Sequence, residues 1–214
     1  MSDHHTFDLF CGEVDPSQVV RAEVSRLVID VGRFNDDTHE PMRSFGMGIV
    51  YDHTHDGKQL RHPIAPSERQ ALKQAWYEPH HIRLNALTHD CLQKHGKCLI
   101  VDGHSFASEA LPYEQPRYNR RPQICIGTHE LHTPAWLQDK LEDAFWQQSY
   151  SVGVNVPFAG CMVPSEFYGK DPRVMSVMLE IRKDLYLDEK TTEKNVNFER
   201  VAQSIRTVLA ALVD

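Results

Sequence analysis

The 214-residue sequence lacks long hydrophobic runs and any concentration of positive charge. No apolar run approaches the roughly 20 residues of a membrane-spanning helix, and no charged-then-apolar leader opens the chain. The formal net charge is −7 and no Lys/Arg-rich block is present, which argues against nucleic acid or an anionic membrane as the main partner. We therefore expect a cytoplasmic protein with no nucleic-acid and no membrane partner.

The sequence also has few cysteines, and their spacing excludes two kinds of site. It contains five, an odd number, and no C-x-x-C motif. A disulfide framework and a cysteine zinc site are therefore not indicated, and we expect most of these thiols to be small buried apolar side chains. The five are Cys11, Cys91, Cys98, Cys125 and Cys161.

Common catalytic motifs are absent as well. There is no P-loop, no GxGxxG and no G-x-S-x-G, and His129-Glu130 is followed by a histidine at 132, too early for HExxH. Thirteen histidines favour metal or proton chemistry only slightly, since each alone equally fits a solvated imidazole. With no repeat, low-complexity segment or linker, we expect one domain over residues 1–214. The sequence carries no signal for an oligomeric state.

The sequence does contain alternating strand and helix patterns. This alternation predicts an α/β fold with a mixed, mostly parallel sheet flanked by helices on both faces. Short apolar runs rich in β-branched residues predict strands at 24–31, 45–51, 97–101, 123–127, 150–156 and 174–181.

Capping patterns predict the helices between these strands. Ser67 opens an S-x-x-Q capping box, Pro79 interrupts the helical period that follows, and Gly96 fits a C-terminal stop. Thr133-Pro134 has the cap-then-proline pattern of another helix start, and a final amphipathic helix begins at about Asn197.

The stretch LIVDGHSF places polar residues directly after an apolar run. We expect the strand to end at Val101, so that Asp102-Gly103-His104 form a turn at the carboxyl edge of the sheet, where α/β proteins collect their chemistry. His104 can there direct a nitrogen at a metal or a proton. The alternative interpretation is a structural Asp-Gly turn with a hydrogen-bonded histidine.

Glu180 interrupts another strongly apolar strand. A carboxylate surrounded by apolar side chains is poorly solvated, which raises its pKa and suits a general base. The alternative is a position on an edge strand or an outward-facing position.

Several arginines lie in predicted loops, and a guanidinium matches a carboxylate bidentately. One or two of them are candidates for binding an acidic substrate, although any single one equally fits a solvated surface charge. Asn155, in a loop at a strand end, can contact substrate or cap the turn. The arginines are Arg33, Arg61, Arg117, Arg120 and Arg121.

Six segments together resemble the N-formylglutamate amidohydrolase (N-formylglutamate deformylase) family. They follow the order of that family, cover nearly the whole chain, and agree in loops as well as strands. The segments are SRLVIDVGRFNDD, EPMRSFGMGIVYD, LIVDGHSF, ICIGTHELHTP, NVPFAGCMVP and MLEIRKDLYLDE.

The resemblance implies a fold like that of the zinc-dependent exopeptidases and hydrolysis of an N-acyl amide on an acidic amino acid, such as N-formyl-L-glutamate. Its partner would be a small N-acyl amino acid. By position in the family's motifs, His104 is a metal ligand and Glu180 the base. Arg33 handles the substrate or the developing oxyanion, although Gly32 stands where the family usually has an acid. Substrate carboxylates would be bound by Arg61 and Arg120, with Asn155 beside them.

The front of the chain departs from the family. The usual first strand and its PHSG-like loop, which supplies a metal ligand, are absent from the given sequence. We expect either a true start that lies upstream or an N-terminally shortened domain. The opening MSDHHTFDLF resembles the next family segment and makes Asp3 and His5 candidate metal ligands. Zn²⁺ or another divalent ion would then bind weakly.

Two alternatives stay open. One is a metal-deficient, non-catalytic relative that binds an acidic small molecule or peptide. The other is a hydrolase for a different N-acyl or peptide substrate.

Overall fold

The computed structural model describes residues 2–12, 14–114 and 121–212. The chain divides into two compact units. The first contains Met1–Ser2, Val20–Leu87 and Leu111–Gln115, and the second contains Asp3–Val19, Thr88–Ala110 and Pro116–Asp214. Within the described ranges, no helix has the length and apolar character needed to cross a membrane.

The regular elements are five α-helices and four strands among the described residues. The helices are α1 (Thr6–Cys11), α2 (Pro66–Leu72), α3 (Glu78–His95), α4 (Ala135–Gln147) and α5 (Phe198–Ala211). The strands are β1 (Cys98–Phe106), β2 (Ile124–Gly127), β3 (Val152–Val154) and β4 (Val174–Arg182).

The strands form one mixed sheet in the second unit, in the order β1-β4-β2-β3. The β1–β4 and β2–β3 pairs are parallel, and β2 and β4 pair antiparallel. The predicted mixed α/β architecture is confirmed, as are the four strands predicted at 97–101, 123–127, 150–156 and 174–181.

Strand β1 is longer than expected. The prediction that Asp102-Gly103-His104 form a turn after the strand is wrong, because β1 continues to Phe106 along the full length of its partner β4. Gly103 serves close packing instead, since a Cβ there would lie 2.9 Å from the ring of Phe10. Asp102 and His104 therefore lie within a strand of the sheet.

Alternation along the strands separates two faces of the sheet. One face is apolar and belongs to the main core with α1, α4 and α5. On β4 this face carries Val177, Leu179 and Ile181. The opposite face carries Val174, packed on Val163 and Phe167, and further along the same strand Glu180. We call this second face the polar face.

The first unit contains α2 and the beginning of α3, but its described residues form no regular strand. The strands predicted at 24–31 and 45–51 are wrong. Val28 N and Ile29 N both donate to Ser25 O, and Asp30 N donates to Ile49 O at 2.8 Å, so turns replace a strand ladder. Ile29 and Ile49 are still buried. The apolar pattern in these segments therefore predicted the burial of side chains correctly, but it did not predict whether the backbone forms a paired strand.

Proline and glycine set the boundaries of the long helical region. The Ser67 cap is wrong, because α2 begins at Pro66 with Ala65 as its N-cap. A π-helical turn at Lys73–Tyr77 precedes Pro79, which has no N–H to donate to the preceding turn. The predicted stop is confirmed: α3 ends at His95, and Gly96 adopts φ 72°.

The two later helices begin close to their predicted positions. Helix α4 starts at Ala135 with Pro134 as its N-cap. Thr133 does not cap it, because its Oγ1 accepts from His129 N at 3.0 Å and donates to Ser176 O at 2.6 Å. Helix α5 starts at Phe198 with Asn197 as its N-cap.

Candidate active site

Glu180 and His104 face each other across the β1–β4 pair. They are direct register partners, and Cys125 of β2 is the partner of Glu180 on its other side. Partners in register point to the same face of a sheet, so all three side chains lie on the polar face. Since β4 is an interior strand and Glu180 is only 8% exposed, the edge-strand interpretation of Glu180 does not hold.

The imidazole of His104 lies between two carboxylates. Asp102 Oδ1 is 2.8 Å from Nε2, and Asp3 Oδ2 is 3.3 Å from Nδ1. Burial acts to lower the pKa of His104, but the two carboxylates outweigh it and raise the pKa well above its usual value. The protonated ring can therefore donate to both carboxylates at once.

Asp3 is anchored on β1. Its Oδ1 accepts hydrogen bonds from Ser105 N at 3.2 Å and Ser105 Oγ at 3.0 Å. The next residue along the chain is also held, because Tyr186 Oη donates to His4 O at 2.9 Å. These bonds fix the carboxylate of Asp3 beside His104.

His5 turns its ring elsewhere. Its Nε2 lies 2.9 Å from Thr192 O, and its ring packs edge-on against Phe198. These contacts do not bring His5 together with Asp3 and His104, and its ligand role stays a prediction.

The donor set fits a divalent metal only in part. A metal-ligating histidine typically donates its second nitrogen to a carboxylate, and Asp102 takes that place on Nε2 while Nδ1 faces Asp3. Catalytic zinc has three protein ligands, however. Among the residues that the structure describes, no cluster of three or more His, Cys, Asp or Glu side chains fits a metal ion. A ligating imidazole must be neutral, so His104 would have to lose a proton to join Asp3 as a ligand, and the two donors are one short of such a site.

The segment 155–163, here called the strap, crosses the polar face after β3. Cys125 Sγ donates to Phe158 O at 3.2 Å, and Met162 N donates to Asp102 Oδ2 at 3.2 Å. Asp102 thus holds His104 with one oxygen and the strap with the other. Burial raises the pKa of Cys125 to about 11, so a neutral thiol stands beside Glu180.

Asn155 begins the strap and makes contacts within it. Its Oδ1 accepts from Thr128 N at 2.9 Å, and its Nδ2 donates to Thr128 Oγ1 at 2.7 Å. These bonds join the loops after β2 and β3. A substrate contact by Asn155 would compete with its two hydrogen bonds to Thr128. That contact stays a prediction.

Arg121 is an arginine that the structure places on the polar face, near Arg182 at the end of β4. Its guanidinium lies 5.0 Å from the ring centroid of Phe106, and its carbonyl accepts from Arg182 Nη1 at 2.8 Å. Phe106 and Arg182 follow His104 and Glu180 by two positions on the same face. The sequence favoured Arg61 and Arg120 as carboxylate-binding residues. The one sequence feature that could have indicated Arg121 is its position just before strand β2. Arg120 lies outside the described residues.

The first unit contains Arg33 in a buried polar network. Its Nε is 3.4 Å from Asp30 Oδ2 and its Nη1 is 3.5 Å from Glu40 Oε1, while Nη2 donates to Tyr51 Oη at 3.2 Å. Nη1 and Nη2 therefore donate hydrogen bonds inside this unit, whereas Nε is at ion-pair distance from Asp30 without a hydrogen bond. Its predicted substrate role remains a prediction.

Arg61 also has an internal partner in the first unit. Its Nη2 donates to the backbone carbonyl of Leu27, which connects two segments of that unit. This contact does not test whether Arg61 binds a substrate carboxylate, so that role stays a prediction.

The chain is thus a mixed α/β protein that carries a buried acid and an imidazole aligned by carboxylates on one face of its sheet. The family model for N-formylglutamate amidohydrolase matches residues 1–187. The chain belongs to the N-formylglutamate amidohydrolase family.

Individual relatives agree with this placement. The N-formylglutamate deformylase of Pseudomonas putida is 28% identical over 204 residues, which is 92% of this chain and 73% of that protein. The crystal structure of N-formylglutamate amidohydrolase from Ralstonia eutropha matches with a TM-score of 0.76 at 20% identity, over 99% of this chain and 82% of that one.

A second solved structure shares the fold. It is a gene product of Agrobacterium tumefaciens, which matches with a TM-score of 0.60 at 21% identity and covers 89% of this chain and 69% of that one.

Proposed function

We propose that this chain hydrolyses the N-formyl amide of an acidic amino acid, with N-formyl-L-glutamate as the first substrate to test. Family membership supports the reaction class, and the names of two relatives support the substrate. The observation that carries the proposal is the in-register pairing of buried Glu180 with His104 on the polar face. A kinship of the fold with the zinc-dependent exopeptidases is part of this proposal.

Glu180 would act as the general base. It accepts a proton from the water that attacks the formyl carbon, and it returns a proton to the amide nitrogen as the C–N bond breaks. The products are formate and the free amino acid. Burial and the strap keep bulk water away from the carboxylate, which favours proton transfer to the bound reactants.

His104 and Asp3 would hold a divalent metal ion, zinc being the first choice. Once bound, such an ion would polarise the formyl carbonyl and would lower the pKa of a bound water to about 7. Because these two residues fall one protein ligand short of a catalytic zinc site, we expect weak binding. His5 is the third ligand that the family resemblance predicts.

Guanidinium groups would bind the carboxylates of the substrate. Arg121 has the best support, because it lies on the same face as Glu180. Arg61, Arg120 and Asn155 remain predicted contacts, and Arg33 remains the predicted oxyanion contact.

The direct test is release of formate from N-formyl-L-glutamate by the purified full chain. The protein is treated with EDTA, dialysed, and assayed with and without added ZnCl₂. Zinc-dependent release, with N-formylglycine as a poorer substrate, supports the proposal. A failure to release formate at any zinc concentration would falsify it.

A non-catalytic binder is the second candidate function. The two-donor set found among the described residues favours it. Isothermal titration with N-formyl-L-glutamate separates the two functions, because a binder gives metal-independent binding without turnover. A panel of other N-acyl amino acids and short peptides identifies a hydrolase with a different substrate.

A further inference from the structure

Two cysteines lie together at the junction of α3 and β1, outside the candidate active site. Cys91 is in the last turns of α3, and Cys98 is the first residue of β1. Between them Gly96 reverses the chain with φ 72°, and its N–H donates to Leu92 O at 2.8 Å. Cys91 Sγ donates to Lys97 O at 3.4 Å, which brings the thiol to the peptide just before Cys98.

The two thiols are neighbours. Burial raises the pKa of Cys98 and the thiol of Cys91 raises it further, which requires the two sulfur atoms to lie within interaction distance. Cys98 is 6% exposed, whereas Cys91 is half-buried. The backbone of Cys98 is fixed as well, because its N–H donates to Arg173 O at 2.9 Å.

This pair differs from the other thiols of the chain. All five cysteines are described and all are free. Cys11, Cys125 and Cys161 make no described contact with another cysteine. Cys125 and Cys161 instead meet oxygen atoms of Phe158 and Thr133.

We propose that Cys91 and Cys98 form a dithiol that hydroperoxides oxidise to a reversible intramolecular disulfide. A disulfide requires Cβ atoms about 4 Å apart, and the Cys91 thiol already lies 3.4 Å from the carbonyl oxygen just before Cys98, so little rearrangement is needed to meet that requirement. The site takes a peroxide as oxidant and a small dithiol as reductant.

The reaction balances in two steps. Cys91, the more accessible thiol, attacks hydrogen peroxide as its thiolate, forming a sulfenic acid and hydroxide. The Cys98 thiolate then attacks the Cys91 sulfur and displaces hydroxide, which leaves as water. Overall, two thiols and one peroxide give one disulfide and two waters. Burial raises the pKa of Cys98 to about 12, so the second step accelerates with pH.

The disulfide would join α3 to the first residue of the strand that carries Asp102 and His104. Oxidation would therefore fix the near end of β1 without touching the active-site residues themselves. The inference stands independently of the proposed hydrolysis, because its readouts are thiols and linked peptides.

The experiment counts thiols in the full-length protein before and after hydrogen peroxide, with non-reducing peptide mass spectrometry. We expect the wild-type chain to lose two of its five thiols, to yield one peptide linking Cys91 with Cys98, and to recover both thiols with dithiothreitol. Cys91→Ser should form no intramolecular disulfide, and the control Cys11→Ser, also half-buried, should behave as wild type.

Other results overturn the proposal. They are retention of all five thiols where free glutathione is oxidised, linkage through any other cysteine, or an unchanged loss of two thiols in Cys91→Ser. Cys91 is half-buried, so we expect Cys91→Ser to fold. The test can therefore be made with this variant even if Cys98→Ser, at a buried position, fails to fold.

Discussion

His104 and Glu180 are seventy-six residues apart in the chain and occupy directly opposed positions on neighbouring parallel strands. Opposed residues in a sheet have their Cβ atoms about 5 Å apart. The pairing therefore places an imidazole and a carboxylate within reach of one small substrate. The following predictions concern this pair, its supports and the buried polar groups of the two units.

Glu180→Gln should fold normally and lose turnover. The amide keeps the size of the side chain but accepts no proton, so we expect kcat for N-formyl-L-glutamate to fall roughly 100- to 10,000-fold. Formate release and thermal unfolding check this together. The matched control is Glu166→Gln, an exposed acid paired with His89, which should change neither. A Glu180→Gln variant with wild-type kcat would rule out Glu180 as the base.

Asp102→Asn should weaken metal binding. Asp102 holds Nε2 of His104 at 2.8 Å, and loss of such a support typically lowers metal affinity about 10- to 100-fold. Zinc titration by calorimetry measures this without any assay of turnover. The control Asp171→Asn removes a carboxylate paired with Arg173. Equal zinc affinities of the Asp102 and Asp171 variants would remove His104 from the metal site.

His132→Ala should destabilise the second unit. His132 is fully buried; its Nδ1 donates to Val174 O at 2.7 Å and its Nε2 accepts from Gly169 N at 2.8 Å. Leaving these groups unpaired should lower the free energy of unfolding by about 3 kcal/mol. Urea unfolding measures the change. The half-exposed His129→Ala should cost much less, and equal losses would contradict the assigned role.

His81 should make stability depend on pH. Burial lowers its pKa from 6.5 to about 4, and its Nε2 donates to Val31 O. The unfolded chain binds a proton near pH 6.5 while native His81 does not, so stability is complete above pH 6.5 and falls as the pH drops toward 4. Between pH 7 and 5 we expect a loss of about 1–2 kcal/mol, allowing for the partial exposure of His81.

Urea unfolding of wild type and His81→Gln at pH 7 and 5 isolates this contribution. Glutamine retains a donor for Val31 O but does not titrate. The difference between the two proteins should therefore shrink from pH 7 to pH 5. A difference independent of pH would mean that folding does not shift the pKa of His81.

Arg33→Lys separates two roles of one residue. Lysine keeps the charge but cannot contact Asp30, Glu40 and Tyr51 together as the guanidinium does, so the free energy of unfolding should fall by about 2 kcal/mol. The predicted oxyanion role demands in addition a drop in kcat of roughly 100-fold for the folded protein. Reduced stability with unchanged kcat would assign Arg33 to the network of the first unit alone.

Elements with strong local signals were predictable. Helix α5, the stop at Gly96 and the apolar strand β4 follow from periodicity and backbone preference, which act within a few residues. Family membership was also predictable, since the resembling segments extend along most of the chain. The strands predicted at 24–31 and 45–51 failed because apolar spacing reports burial, and backbone partners such as Ser25 O decide whether a buried segment is extended.

The candidate site shows the division most clearly. The sequence by itself marked His104 and Glu180 as candidates, since each interrupts or follows an apolar run. Burying an ionisable side chain among apolar ones costs free energy unless the group is paired or functional. Only the tertiary structure decided that these residues share one face, that Asp102 lies within the strand, and that Arg121 joins them. Strand order and register arise from contacts between distant segments, and no local pattern encodes those contacts.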